Sequence, residues 1–349
     1  MTDCIVVGGG LIGMLSAREL KKSGMDVLVL DKGPLGKEAS WAGGGILSPL
    51  HPWRYPDEVN VLASEGHRLY PQVAKELERE SGIDPEYFRT GMLVLNSQEL
   101  EEARLWSDKW GIELSLVESA AELQKISPGL SEQFESGFWL PDIAQMRNPR
   151  LVKSARGSLQ ALGVRFEENT QVEKLNVENG QIKGVVANGK NYQAGCVLVA
   201  SGAWSGDLLS EFGNPPDVKP VKGQMILLKG EPGLLKPMLL VESRYLIPRK
   251  DGRILCGSTI EHTGYDKSLS EEVKTSLLQS AQDIFPRLAN LEVEHHWSGL
   301  RPGSPEGVPY IGAHEEIEGL FVNAGHFRNG VILGIASARK IAREILGDK

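Results

Sequence analysis

Near the start of the chain the apolar positions change period twice. Residues 4–7 form a short unbroken apolar run, which predicts a buried strand, and Leu11, Met14, Leu15, Ala17 and Leu20 then recur at helical spacing along one side. Gly24 ends that helix, and 25–30 is a second apolar run, read as another strand. Between the first strand and the helix stands Gly8-Gly9-Gly10-Leu11-Ile12-Gly13, and the second strand ends in an acid, Asp31. Strand, glycine turn, helix, strand and acid in this order predict a dinucleotide-binding unit. Gly8 makes the tight turn, Gly10 lets backbone approach a pyrophosphate, and Gly13 brings helix against strand. The helix N-terminus then meets the phosphate charge. Asp31 suits a ribose hydroxyl, and its charge argues against a 2′-phosphate.

The pattern after Asp31 departs from a second crossover helix. Residues 32–49 read as a long loop of low helix propensity, with Ser40-Trp41-Ala42-Gly43-Gly44-Gly45 at its centre. Three adjacent glycines suit backbone that passes close to a flat ring, which points to FAD rather than NAD. Residues 172–192 alternate in strand fashion around Asn179-Gly180 and Asn188-Gly189, predicting a three-stranded meander. It leads into the apolar strand 196–200 and the small-residue turn Ser201-Gly202-Ala203, a form that fits a cofactor crevice. Near the C-terminus a strand at 320–323, a turn at 324–330 and a helix at 331–346 aim a second helix N-terminus at the same place. Strands at 222–229 and 253–258 and a helix near 270–284 are expected to form one wall of a substrate pocket.

Composition narrows the class. A chain of 349 residues exceeds one ordinary core, so two interleaved domains are expected. With 46 acidic against 38 basic side chains, net charge −8 and no basic stripe, nucleic acid is not an expected partner. Cys4, Cys196 and Cys256 fall in apolar runs without metal spacing and read as reduced, buried thiols. His295 and His296 are neighbours on a predicted strand and point to opposite faces, so they do not form a metal site. No apolar run is long enough for a membrane span, and the first strand begins at Cys4, so a cytoplasmic enzyme without a signal peptide is expected.

Six separated motifs, VVGGGLIG at 6–13, EASWAGGGILSP at 38–49, VLVASGAWS at 197–205, YLIPRKDGRILCGST at 245–259, GLRPGSPEGVPYIG at 299–312 and NAGHFRNGVILG at 323–334, resemble the amino acid oxidases of the D-amino acid oxidase and sarcosine oxidase group. The closest likeness is to the members that oxidise glycine for thiamine biosynthesis. The resemblance implies an α/β fold with a glutathione-reductase-like, Rossmann-type FAD-binding domain (1–83, 147–216 and 299–349) and an inserted, mainly antiparallel-sheet substrate domain (84–146 and 217–298). It implies FAD-dependent oxidation of glycine, or of sarcosine or a small D-amino acid, by hydride transfer from Cα to flavin N5. The products are the oxo acid, ammonia and hydrogen peroxide, and no acid–base side chain is called for. A dehydrogenase of the same group with a non-oxygen acceptor is the alternative.

By the same resemblance Tyr245 and Arg301 hold the substrate carboxylate, with Arg328 nearby. An arginine fork matches a carboxylate bidentately, which a lysine does not. The expected cofactor contacts are Gly8, Gly10, Leu11, Ile12, Gly13, Asp31, Lys32, Ser40, Gly43, Gly44, Gly45, Val172, Ser201, Gly202, His326, Phe327, Arg328, Asn329, Gly330 and Val331. Some relatives attach FAD through a cysteine two residues before the arginine, but Gly299 stands there, so noncovalent FAD is expected. Members of the group commonly form homo-oligomers, and molecular oxygen is the second expected substrate.

Overall fold

The computed structural model describes residues 2–95 and 98–347. It contains two large sheets, and the sequence explains which strands join which. The strands of the first sheet lie in the order Tyr310–Ala313, Leu320–Ala324, Lys190–Val199, Thr2–Val7, Val27–Leu30 and Arg165–Glu167, with the apolar runs of the four inner strands buried and the two edges more exposed. All neighbouring pairs in that order are parallel except the Tyr310–Ala313 edge. Helices Leu11–Lys22, Asp57–Ser81, Asn148–Ala161 and Gly330–Leu346 cover one face, and the meander Val172–Glu178 and Gln181–Ala187 packs on the other. This is the parallel, covered sheet that the unbroken apolar runs require.

The second sheet runs Glu292–Gly303, Lys219–Lys229, Ile254–Gly257, Arg244–Pro248, Met238–Val241, Met92–Leu95, Gly137–Leu140 and Ser115–Val117. It is antiparallel throughout apart from the parallel pair Met92–Leu95 and Met238–Val241. The helix Glu271–Ile284 lies on its outer face, started by Ser270, whose side chain accepts from the Val273 N–H. The predicted α/β class, with a mainly antiparallel second sheet, is the fold observed. Among the described residues no helix is long and apolar enough to cross a membrane.

Two local expectations change. The stretch predicted as wholly irregular contains a helical turn, Ala39–Ala42. Tertiary bonds fix it: Ser40 Oγ accepts from the Leu11 N–H at 2.8 Å, and Asn148 Nδ2 donates to the Ser40 carbonyl at 2.7 Å. The second strand begins at Val27 rather than at 25, because Met25 N is used to close the preceding helix on Leu20 O.

Beneath the first sheet's helices lies a buried ion cluster that no motif announced. Arg18 is 1% exposed and donates to Glu76 Oε2 and Glu80 Oε1, each at 2.7 Å, to Glu19 Oε1 at 2.9 Å and to Ser158 Oγ at 3.1 Å. It ties the first helix to Asp57–Ser81 and Asn148–Ala161. Burial works against the Glu76 charge, but hydrogen bonds from Arg18, Lys22 and Gln72 win and hold its pKa down to about 2. Removing Arg18 leaves Glu80 without its counter-charge, although Lys22 stays on Glu76 and Arg339 on Glu19, so Arg18→Met is expected to lose about 3–5 kcal/mol in urea unfolding at pH 7. Because the folded pKa of Glu76 lies below its ordinary 4.5, its contribution is complete above that value and is lost as pH falls toward 2. Stability of the native chain should therefore drop through that window more steeply than that of the variant.

Candidate active site

The glycine turn shows why each glycine is there. Gly8 has φ +108°, and a Cβ on it would sit 2.5 Å from Ala200 O. A Cβ on Gly13 would meet Gly8 O at 1.9 Å, so only glycine lets the first helix lie against the strand. Gly10 precedes the helix without a side-chain cap, and the first turn carries no acid, so the positive helix end is free of competing charge. Asp31 Oδ2 accepts from Gly9 N at 2.6 Å and Oδ1 from Gly33 N at 2.8 Å. Burial pushes its pKa up against those two bonds. Each oxygen keeps a further lone pair for a hydroxyl.

From this turn a cavity of ≈ 360 Å³ runs between the two sheets. At one end its wall carries Lys32, Val172, Ser201 and Gly202, and Lys32 Nζ lies 3.1 Å above the Trp204 ring. In the middle the wall is Gly43, Gly44 and Gly45, backbone held from behind. Arg249 Nη2 donates to Gly44 O at 2.8 Å, while Nη1 donates to Gln145 Oε1 at 2.7 Å and Met146 O at 3.1 Å. Burial lowers the Arg249 pKa to about 10, still charged at neutral pH. A Cβ on Gly45 would fall 2.0 Å from Met146 O, and one on Gly44 would project toward Tyr245 and Ile247.

Tyr245, Arg301 and Arg328 come together at the other end. Tyr245 is delivered by the strand Arg244–Pro248 and Arg301 by Glu292–Gly303. Arg301 Nη2 donates to Ser258 Oγ at 2.8 Å, and Nη1 donates to Thr259 O at 3.1 Å and Lys222 O at 3.4 Å. Among the described residues no carboxylate forms an ion pair with it. Burial lowers its pKa, with Arg328 adding to the effect and Tyr245 opposing it, yet a guanidinium stays protonated. Arg328 also lines this end, and its Nη2 is buried with no hydrogen-bond partner. Tyr245 OH donates to the Met225 sulfur at 3.7 Å.

Of the residues singled out in the sequence, Gly13 and Asn329 stand behind the cavity wall; the others line it. His326 lines it, but its Nε2 is paired with Ser337 Oγ at 3.0 Å, and burial takes its pKa down to about 3. It is a neutral part of the turn. Asn148, Thr170, Gly223 and Met225 also line the cavity and were not anticipated; Trp204 was quoted only inside a motif. Cys4, Cys196 and Cys256 are unbonded by disulfides and buried. No group of three or more metal-ligating side chains occurs among the described residues.

A family model described as FAD dependent oxidoreductase matches residues 3–344. The chain belongs to that family. FAD-dependent oxidoreductases need a cradle for a long, anionic, flat-ended cofactor, and the residues present suit one. Gly8 and Gly10 leave the helix end open, the Gly43–Gly45 wall carries no side chains, and the Arg328 Nη2 and Asn148 Oδ1 atoms are buried without partners. Among relatives, the glycine oxidase of Pseudomonas aeruginosa is 44% identical over 339 residues, covering 97% of this chain and 93% of that one. The bifunctional protein ThiO/ThiG of Trichormus variabilis is 32% identical, over 99% of this chain and 53% of that one. The crystal structure of glycine oxidase from Geobacillus kaustophilus superposes with TM-score 0.95 at 28% identity, covering 99% of this chain and 95% of that one.

A methyl group at Gly8 would meet backbone on the neighbouring strand in a conformation that L residues rarely adopt. Gly8→Ala is therefore expected to yield folded but colourless protein, with no gain in flavin absorbance when FAD is added.

Proposed function

We propose that this chain is a glycine oxidase, oxidising the C–N bond of glycine to an imine that hydrolyses to glyoxylate and ammonia, with oxygen reduced to hydrogen peroxide. The observation that carries the reading is the Arg301 guanidinium, enclosed at one end of a glycine-walled cavity and lacking an acidic partner among the described residues. The 44% identity to a glycine oxidase over nearly the whole chain supports it. Similarity to the ThiO/ThiG proteins supports a role in supplying the thiazole of thiamine.

The division of labour follows from the wall. Gly8, Gly10, Leu11, Ile12 and the first helix would receive the pyrophosphate, with Asp31 on the ribose. Ser40, the Gly43–Gly45 wall, Val172, Ser201 and Gly202 would flank the rest, and Gly330 and Val331, which line the cavity and begin the last helix, would face the flavin. Gly13 and Asn329 would act from behind. Bound FAD supplies the hydride acceptor, flavin N5. Arg301 would grip the substrate carboxylate, Tyr245 OH would donate to it, and Arg328 would close the remaining side. Orientation of Cα is then the protein's main contribution. Among the described residues, the carboxylates that line the cavity are Asp31, beside the glycine turn, and Glu38, beside the Ala39–Ala42 turn, and His326 does not titrate near neutrality. The substrate amine must therefore arrive neutral or lose its proton to solvent.

The domain division that fits this reading is FAD-binding over 1–83, 147–216 and 299–349, and substrate-binding over 84–146 and 217–298. Noncovalent FAD follows from Gly299, which lies in the wall where a cysteine could have formed a bond.

Four outcomes test the proposal. Anaerobic glycine should bleach the flavin, and readmitted oxygen should restore the colour with one peroxide per glycine; bleaching without peroxide would favour a dehydrogenase. Arg301→Ala should raise the KM for glycine roughly 10- to 150-fold, the equivalent of one charge-assisted contact. The kcat/KM should climb with pH toward the pKa of the free substrate amine, because the neutral amine is the form that can give up a hydride from Cα. Acid precipitation should leave the yellow colour in the supernatant, and a yellow pellet would contradict noncovalent binding.

A further inference from the structure

Arg301 is held by carbonyls and a hydroxyl, so something must hold those groups in turn. Two backbone segments do the holding, Lys222–Gln224 on the strand Lys219–Lys229 and Ser258–Thr259 after Ile254–Gly257. A Cβ on Gly223 would lie 2.2 Å from Arg301 Nη1 and 2.3 Å from Nη2, so the guanidinium rests directly on this backbone. Both segments converge on one carboxylate. Glu261 Oε2 is 3.0 Å from Lys222 Nζ, and Glu261 Oε1 accepts from Gln224 Nε2 at 3.0 Å and from Thr259 Oγ1. Thr259 Oγ1 in turn accepts from the Gln224 N–H at 2.8 Å. Backbone bonds of 2.9 Å run both ways between Lys222 and Glu261. Lys222 is 4% exposed and Gln224 fully buried, so water cannot easily replace these partners.

We propose that Glu261, with Thr259 as its link, is the positioning residue for Arg301. It fixes the Lys222 and Thr259 carbonyls that aim the guanidinium into the cavity, and it does so without touching the guanidinium. Its ion pair is made with Lys222 rather than with Arg301, which leaves the guanidinium open to an incoming carboxylate. The proposal rests on Arg301 being the carboxylate anchor of the site proposed above, and it adds a second layer to that anchor.

The test uses the FAD-loaded enzyme and two variants, Glu261→Gln and Thr259→Val, with Thr259→Ser as the conservative control. Acetate is the probe, titrated against the visible flavin spectrum, alongside steady-state kinetics with glycine and fluorescence titration of FAD. Loosening the bracket should weaken acetate binding and raise the KM about 10-fold in both variants, the scale of one buried hydrogen bond. The kcat and the FAD affinity should stay unchanged, and Thr259→Ser should restore native values. Unchanged acetate affinity in the variants would overturn the proposal, as would loss of FAD affinity in parallel, which marks a general structural role. If Glu261→Gln does not fold, the Thr259 pair decides alone. If the native enzyme binds acetate but oxidises no glycine, the glycine reading fails while the acetate arms still decide the role of Glu261.

Discussion

The structure depends on a positive charge that the fold encloses but does not cancel. Taking a guanidinium out of water costs several kcal/mol unless hydrogen bonds and counter-charge replace what water gave. Among the described residues, Arg301 donates to neutral acceptors, two carbonyls and a hydroxyl. Arg18 shows the other solution in the same molecule: it is 1% exposed and surrounded by Glu19, Glu76 and Glu80. One arginine is complete and holds helices together. The other is left incomplete, and a small carboxylate would complete it.

An incomplete charge can be kept only where backbone geometry leaves no easy way to relieve it. The strand Glu292–Gly303 pairs with Lys219–Lys229 along nearly its whole length, with one register shift at Leu227/Leu228. Arg301 lies opposite Val221 in that ladder, so strand pairing fixes the sheet face from which its side chain projects. Gly223 gives it a flat bed, and Ser258 and Thr259 approach from the strand on the other side. The same logic governs the Gly43–Gly45 wall. There the wall is glycine backbone anchored by Arg249 and Asn148, so close approach costs no side-chain rearrangement.

What the sequence disclosed follows from this split. The turn at Gly8 to Gly13, the acid at Asp31, the meander and the last helix are local patterns, and the apolar periods that announce them are set by neighbours in the chain. Tyr245, Arg301 and Arg328 were reached through resemblance of whole motifs, and the structure brings the three side chains to one end of the cavity. Glu261, Gly223, Arg249 and Arg18 carried no local signal. Their roles arise from pairings between residues far apart, such as Arg249 with Gly44 or Arg18 with Glu80, and a period count is blind to those. The helical turn Ala39–Ala42 was missed for the same reason, since its stabilising bonds come from Leu11 and Asn148.

His326 shows how misleading proximity alone can be. It lies in the turn that faces the cavity, a position that invites a catalytic reading, yet its Nε2 is engaged by Ser337 and burial keeps it neutral. A histidine that cannot gain a proton near neutrality offers shape and a fixed hydrogen bond, and its lost charge keeps the last helix's positive end unopposed by a competing cation. The arrangement therefore concentrates positive potential at two guanidinium groups, Arg301 and Arg328, and at helix ends, all built on backbone that has little freedom to move. Redox chemistry of an amino acid needs little more from the protein than this: a fixed site for the acid group, a neutral surround for the amine, and a wall without side chains for the ring.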